Sequence, residues 1–375
     1  MPRRGAAATF RRGAAAVTRL SFVLPVRGGA GGAHSVVQEV AAMRDLGVEA
    51  RILVNAANAE GFRENYARFD WVQDGGIGVF EGPQELGRLL AGEEVVVATT
   101  NTSAHSIAEA TKTLRGPAFR TGYYVQDYEP LFYAEGSMEE AMALASFSLL
   151  RGCTYFAKSH WLVEMVQASH GHAAERVVPS IDHGLYRPSR RGQGGGEGAT
   201  LRVVAMVRPS TPRRAPLRTL RLLGRLAAGE FGPVEAIGFG ASEEDLAALG
   251  LVAPEGVALV GRLSQAGVAE LLREADAFLD LSDYQAFGRT AAEAMACGCL
   301  PLAPLLGGSA DFVEDGVSGF LADTTDEAAV DTALRRLLSL SEGERRRMRL
   351  AALDAVAGFT PVRAAISELR ALGLG

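Results

Sequence analysis

The chain is short of lysine. Among 375 residues only Lys112 and Lys158 are lysines, so positive charge is carried almost wholly by arginine. No lysine lies beyond residue 158, which excludes a Schiff-base cofactor in the second half of the molecule. Cysteine is nearly as scarce. Cys153, Cys297 and Cys299 are odd in number, lack C-x-x-C spacing and fall in apolar segments, which reads as reduced core thiols, neither a disulfide framework nor a zinc site. No apolar run reaches the ~18 to 20 residues that cross a bilayer. With 38 basic and 44 acidic residues, net −6, the basic excess of a nucleic-acid binder is missing too. What is present is 48% hydrophobic and 22% charged residues, at a length that suits two cores better than one.

The first 19 residues, "MPRRGAAATFRRGAAAVTR", hold Arg3, Arg4, Arg11, Arg12 and Arg19 without an acid. They make a poor signal peptide, and three readings stay open: a disordered tail, a mis-assigned start, or a segment touching anionic lipid. From Leu20 the order is strand ("LSFVLPV"), glycine loop ("RGGAGGAH"), helix ("SVVQEVAAMRDLG"), strand ("VEARILV"). Short apolar runs alternating with amphipathic helices predict parallel sheets covered on both faces. "EVVVATT", "FRTGYYVQ" and "TYFAKS" continue the first series to residue 187, with helices near 103–113, 138–149 and 160–170. "RRGQGGGEGAT" marks a linker within 188–200. A second alternating series, 201–357, starts at "LRVVAMV", and the terminal helix within 358–375 is expected to cross back to the first lobe. The fold class is therefore α/β, with two Rossmann-like, doubly wound domains facing each other across a cleft.

The glycine loop is what an anion cradle requires, because glycines let backbone approach phosphate and a helix N-terminus supplies free N–H groups. Gly31 and Gly32 are the candidate contacts. The loop is not a dinucleotide fingerprint: His34 stands where the third glycine belongs, and the second strand ends on Asn55 where a ribose-binding acid is expected. An NAD(P)-dependent oxidoreductase is thus the weaker reading.

In "DYQAFGRTAAEAMACGC" one acid, Glu293, sits in an alanine-rich helix that starts near Gly288. Left unpaired there its carboxylate would cost several kcal/mol, so it must face a cleft or accept strong donors, such as the two hydroxyls of a ribose. The span "LSDYQAFGRTAAEAMACGCLPLAPLLGGSADFVEDGVSGFLAD" resembles the donor-binding region of glycosyltransferase family 4, with Phe287, Gly288, Glu293, Ala294, Gly298, Pro301, Gly308, Gly316 and Gly319 in register. The resemblance implies the GT-B arrangement of the two lobes. It places Glu293 on the second acid of an E-x7-E pair, which in the family binds ribose, and Gln285 on the first, where a neutral amide replaces a carboxylate. Phe287, Gly288, Arg289 and Thr290 complete the implied donor site.

"AMVRPSTPRRAP" resembles the family's G-R-(x5)-K-G segment, with Arg208 on the arginine, Arg214 on the lysine and Arg213 as a second candidate. Two cations converging on a diphosphate would neutralise a departing phosphate. "FRTGYYVQDYEPLFYAEGS" gathers aromatics and acids in the first lobe and resembles bacterial rhamnosyltransferases of the WsaF type. That resemblance puts Gln126 where the family commonly has a histidine and makes Asp127 its catalytic neighbour. Tyr128, Glu129 and His105 are candidate acceptor contacts. "VVPSIDHGLYRP" resembles the family hinge, with Asp182 on its aspartate.

The resemblance implies a retaining, metal-independent and cofactor-free transferase. Its donor would be a nucleotide diphosphate-sugar, best matched by dTDP-L-rhamnose, and its acceptor a cell-surface glycan or lipid-linked glycan. The expected location is cytoplasmic, with peripheral contact at the inner face of the membrane and no nucleic-acid partner. The two glutamines, Gln126 and Gln285, keep a second reading open, a GT-B protein that binds nucleotide sugar without catalysis.

Overall fold

The structure, a computed structural model, describes residues 18–29, 31–114, 119–189 and 200–375. Residues 1–17 of the basic segment and 190–199 of the glycine-rich linker lie outside the described residues.

Two all-parallel sheets carry the chain. In the first lobe β1 (Arg19–Val23), β2 (Glu49–Asn55), β3 (Ile77–Phe80), β4 (Val95–Ala98), β5 (Arg120–Val125), β6 (Thr154–Ala157) and β7 (Ala174–Arg176) run in the order β3-β2-β1-β4-β5-β6-β7. In the second, β8 (Leu201–Met206), β9 (Val234–Phe239), β10 (Ala258–Leu259), β11 (Ala277–Leu279), β12 (Leu300–Pro304) and β13 (Phe320–Ala322) run β10-β9-β8-β11-β12-β13. The strands read as continuous apolar runs because helices cover both faces: Phe22 on β1 pairs with Ile52 on one side and Val97 on the other, and all three are fully buried. The edge strands β3, β7 and β13 were not evident in the sequence, since three or four residues carry too little periodicity to register.

This order puts a reversal beside β1 in one lobe and beside β8 in the other. The loops leaving β1 and β4, and those leaving β8 and β11, depart to opposite faces there, opening a crevice at the carboxyl ends of the strands where α/β proteins collect ligands. The glycine loop, the arginine segment and the Gln285–Glu293 stretch all lie at these two edges.

The last helix, Pro361–Ala371, returns to the first lobe. Ala365 and Leu369 enter its core, Ser367 Oγ accepts from Val178 N at 2.9 Å, and the Leu372 carbonyl accepts from Arg120 at 2.7 Å. The lobes also meet directly. Ser159 Oγ donates to the Ala286 carbonyl at 2.5 Å, and His160 N donates to Asp311 Oδ2 at 2.8 Å.

Candidate functional site

Glycine fixes the floor of the crevice. Gly28 and Gly29 adopt positive φ (+88° and +79°), and the Gly29 amide donates to the Tyr66 hydroxyl at 3.3 Å. A Cβ on Gly31 would stand 3.1 Å from Cδ of Arg289, and one on Gly32 would stand 2.8 Å from Oε1 of Gln126. The room that glycine leaves is therefore filled from the opposite lobe by an arginine stem and, just past the end of β5, by the Gln126 amide. Gln126 donates to the Thr99 carbonyl at 3.2 Å, while its Oε1 is buried with no hydrogen-bond partner among the described residues.

Across the crevice the loop after β8 carries three arginines. Arg213 reaches the first lobe, 3.2 Å from the Asp127 carboxylate, with its guanidinium 4.1 Å from the Phe132 ring centre. Arg208 and Arg214 make no ion pair among the described residues; Arg208 Nε lies 3.2 Å from the Met206 sulfur. Burial lowers the pKa of both: around Arg208 the charges of Arg214, Arg262 and Arg213 add to that, whereas around Arg214 Asp280 and Asp127 oppose it and Arg213 adds to it. Burial raises the pKa of Asp127 although Arg213 and Arg214 oppose it. Such a pocket of under-compensated guanidinium groups is suited to a polyanion.

Glu293 lies on the helix Arg289–Ala296, which starts on Gly288 in the left-handed region (φ +88°). Its carboxylate is 5% exposed and accepts from Arg289 Nε at 2.7 Å, one helical turn away. Burial nonetheless raises its pKa, against the opposing charge of Arg289. Arg289 in turn donates from Nη1 to Ser35 Oγ at 2.6 Å and to the Ser180 carbonyl at 3.4 Å. The acid in the alanine run thus resolves its burial by an internal cation.

Residues 232–353 match the family model described as "Glycosyl transferases group 1". That segment, about a third of the chain, is similar to group 1 glycosyltransferases. Over 225 residues, 60% of its length, the chain is 31% identical to the O-antigen biosynthesis protein RfbC of Myxococcus xanthus, of which it spans only 16%. It is 32% identical over 188 residues to the D-inositol 3-phosphate glycosyltransferase of Mycobacterium bovis (46% of this chain, 37% of that protein). In fold it is similar to HepE from Anabaena, solved in complex with UDP and glucose, at a TM-score of 0.74 and 18% identity over 95% of this chain and 99% of that one. The glycosyltransferase WaaG, involved in lipopolysaccharide biosynthesis, matches at 0.67 and 13%, over 95% and 99%. These neighbours establish the GT-B fold.

Several of the predicted residues occupy the crevice and several do not. Arg208, Arg213, Arg214, Asp127, Gln126, Gly31, Gly32, Arg289 and Glu293 converge on it. Thr290 is half-buried on the first turn of the Glu293 helix. Glu129 sits at the edge of the first lobe, where it accepts from both the backbone and side-chain nitrogens of Asn101 at 2.5 Å; burial pushes its carboxyl up to about 7 against those bonds. Tyr128 is a correction. It lies in the core, its ring 5.9 Å from Phe147 and its hydroxyl 3.1 Å from His170, because the tyrosines of this stretch alternate into packed layers instead of lining a cleft. His105 is another: its ring bonds the Met142 carbonyl at 2.9 Å, tying two helices of the first lobe together. The Phe287 ring packs on Phe312 and Phe359, so its part is structural. Gln285 is 6% exposed, and its amide is held by Asp280 and by Ser282 Oγ at 3.2 Å.

Two residues escaped the sequence reading. His34 stands edge-on to Tyr66 with Nδ1 buried and unpartnered among the described residues, and burial together with the charges of Arg289 and Arg68 lowers its pKa to about 3. Its only signal was its place at the end of the glycine run. Asp280, the acid buried in "FLDLS", anchors Gln285 and faces Arg214.

Proposed function

We propose that the chain is a retaining glycosyltransferase that moves a sugar from a nucleotide diphosphate-sugar, with dTDP-L-rhamnose the best-matched donor, to a cell-surface glycan or lipid-linked glycan. The observation that carries this is the arginine cluster at the β8 edge: Arg208 and Arg214 stand without carboxylate partners opposite the glycine loop. In the reaction the bond between the anomeric carbon and the phosphate oxygen breaks, its electron pair leaving with the diphosphate. The acceptor oxygen attacks from the same face, and its proton passes to the departing phosphate. Arg208 and Arg214 stabilise the charge that grows on the leaving group, Arg213 holds Asp127 at the crevice, and no metal or cofactor is required. The donor sugar rests on the resemblance to WsaF-type rhamnosyltransferases.

Arg214 makes no hydrogen bond among the described residues that its removal would break, so Arg214→Ala should keep the fold and lose about 10² to 10³ in kcat, the effect of removing one transition-state donor. The assay is release of nucleoside diphosphate from dTDP-L-rhamnose, UDP-glucose and GDP-mannose with a glycolipid acceptor. Release from UDP-glucose alone would overturn the rhamnose assignment. Binding without turnover on any acceptor would favour the binding-protein reading that Gln126 and Gln285 keep open.

A further inference from the structure

Arg289 makes more contacts across the crevice than any other side chain described above, and they conflict with the role proposed for its neighbour. Its stem fills the room left at Gly31, its Nη1 binds Ser35 on the first helix of the opposite lobe and the Ser180 carbonyl in the hinge, and its Nε holds Glu293. Its Nη2 is buried and bonds nothing among the described residues. A guanidinium has five N–H donors, and leaving one nitrogen unsatisfied in a buried position is costly. A ribose that takes Glu293 must displace Nε, and only once Nε is displaced can the attached diphosphate take the room of the stem over the glycine loop. The released guanidinium would then lie beside the phosphates, which can accept from every nitrogen in the fork.

We infer that Arg289 is a latch between the lobes, which a nucleoside diphosphate opens by taking Glu293 and which then becomes a phosphate ligand. The inference rests on the donor site proposed above and adds a specificity-determining residue to it. Compounds that supply both a ribose diol and a diphosphate release the latch; inorganic pyrophosphate or a nucleoside alone supplies one half and leaves it in place. Because the latched form must open before ligand enters, apparent affinity is reduced by the fraction of molecules that are open.

The Ser35 arm can be removed without touching Glu293 or the phosphate-facing nitrogens. Titration calorimetry with dTDP and UDP on the full chain should therefore show Ser35→Ala binding about ten- to a hundredfold more tightly than the unaltered chain, the size expected for loss of one charge-assisted hydrogen bond. Ser35→Cys, which preserves volume, should shift in the same direction, and pyrophosphate affinity should not move. In turnover, KM for the donor should fall while KM for the acceptor stays constant. Unchanged or weaker nucleotide binding in both variants, with Tm preserved, overturns the latch and leaves the donor site standing. If the unaltered chain binds neither dTDP nor UDP, the donor reading itself fails and the latch falls with it.

Discussion

Glu293→Ala removes the carboxylate that Arg289 holds at 2.7 Å and leaves a guanidinium buried between two lobes. The arginine keeps Ser35 and the Ser180 carbonyl, at 2.6 and 3.4 Å, but neither carries a charge. Breaking one partner out of a buried ion pair costs about 3–5 kcal/mol. For a unit of the size of one lobe, each kcal/mol moves Tm by about 2–4 °C, so scanning calorimetry should show a loss of roughly 6–20 °C. Glu293→Gln retains an acceptor oxygen for Nε and should lose less, about 1–3 kcal/mol. The double variant Arg289→Met with Glu293→Leu removes both charges together and should recover most of the stability, because apolar replacements of buried pairs are often neutral. It should not recover nucleotide binding. A Glu293→Ala chain that melts within about 2 °C of the unaltered one would refute the reasoning, since the acid would then be neither needed by Arg289 nor costly to bury.

Gly288→Ala places a side chain at φ +88°, with its Cβ against Ser309 Oγ; left-handed strain and overpacking together predict a loss of about 2–4 kcal/mol, and Ser309→Gly on the same background should return the steric part, as read by urea denaturation. Glu129, at about 7 in the folded chain against 4.5 in the unfolded one, retains a proton that the unfolded chain releases. Stability should accordingly fall as pH rises from 4.5 to 7 and level above it, and Glu129→Gln should flatten that limb in a pH series of melting curves by on the order of 1–3 kcal/mol. Gln285→Glu would set a second carboxylate against Asp280, which already accepts from the amide and from Ser282. Repulsion should force a shared proton and lower Tm at pH 8 more than at pH 5, whereas equal loss at both would show that shape and not charge fixes this position.

The fold was legible because its strands are buried on both faces. "EVVVATT" and "LRVVAMV" admit no other placement, and the loops that follow them inherit the carboxyl edge. The arginine segment and Glu293 could be located for the same reason. What the sequence did not disclose is what the side chains touch. Tyr128 and His105 look like sugar contacts in a row of aromatics and acids, yet a row says nothing of which face each residue takes after the strand ends at Val125 and a 3-10 turn begins at Glu129. Glu293 was legible as a buried acid needing donors; that the donors belong to Arg289, one turn earlier on its own helix, follows only from the side-chain direction.

The scarcity of lysine gives the site its character. A lysine at position 214 would present one compact charge, whereas arginines at 208, 213, 214 and 289 offer flat, multiple donors that bond two groups at once. Two of the four use that capacity between lobes, Arg213 with Asp127 and Arg289 with Glu293 and Ser35. The other two are held without carboxylate partners. Charge in the crevice is thereby divided into cations that fasten the lobes and cations that repel one another, and the neutral amide at Gln285 preserves the division. An acid there would compete with Asp280 for its donors and add negative charge close to Arg214, weakening the attraction for an incoming diphosphate. The amide therefore keeps the arginine pocket positive, which in a family reading would pass for a lost catalytic group.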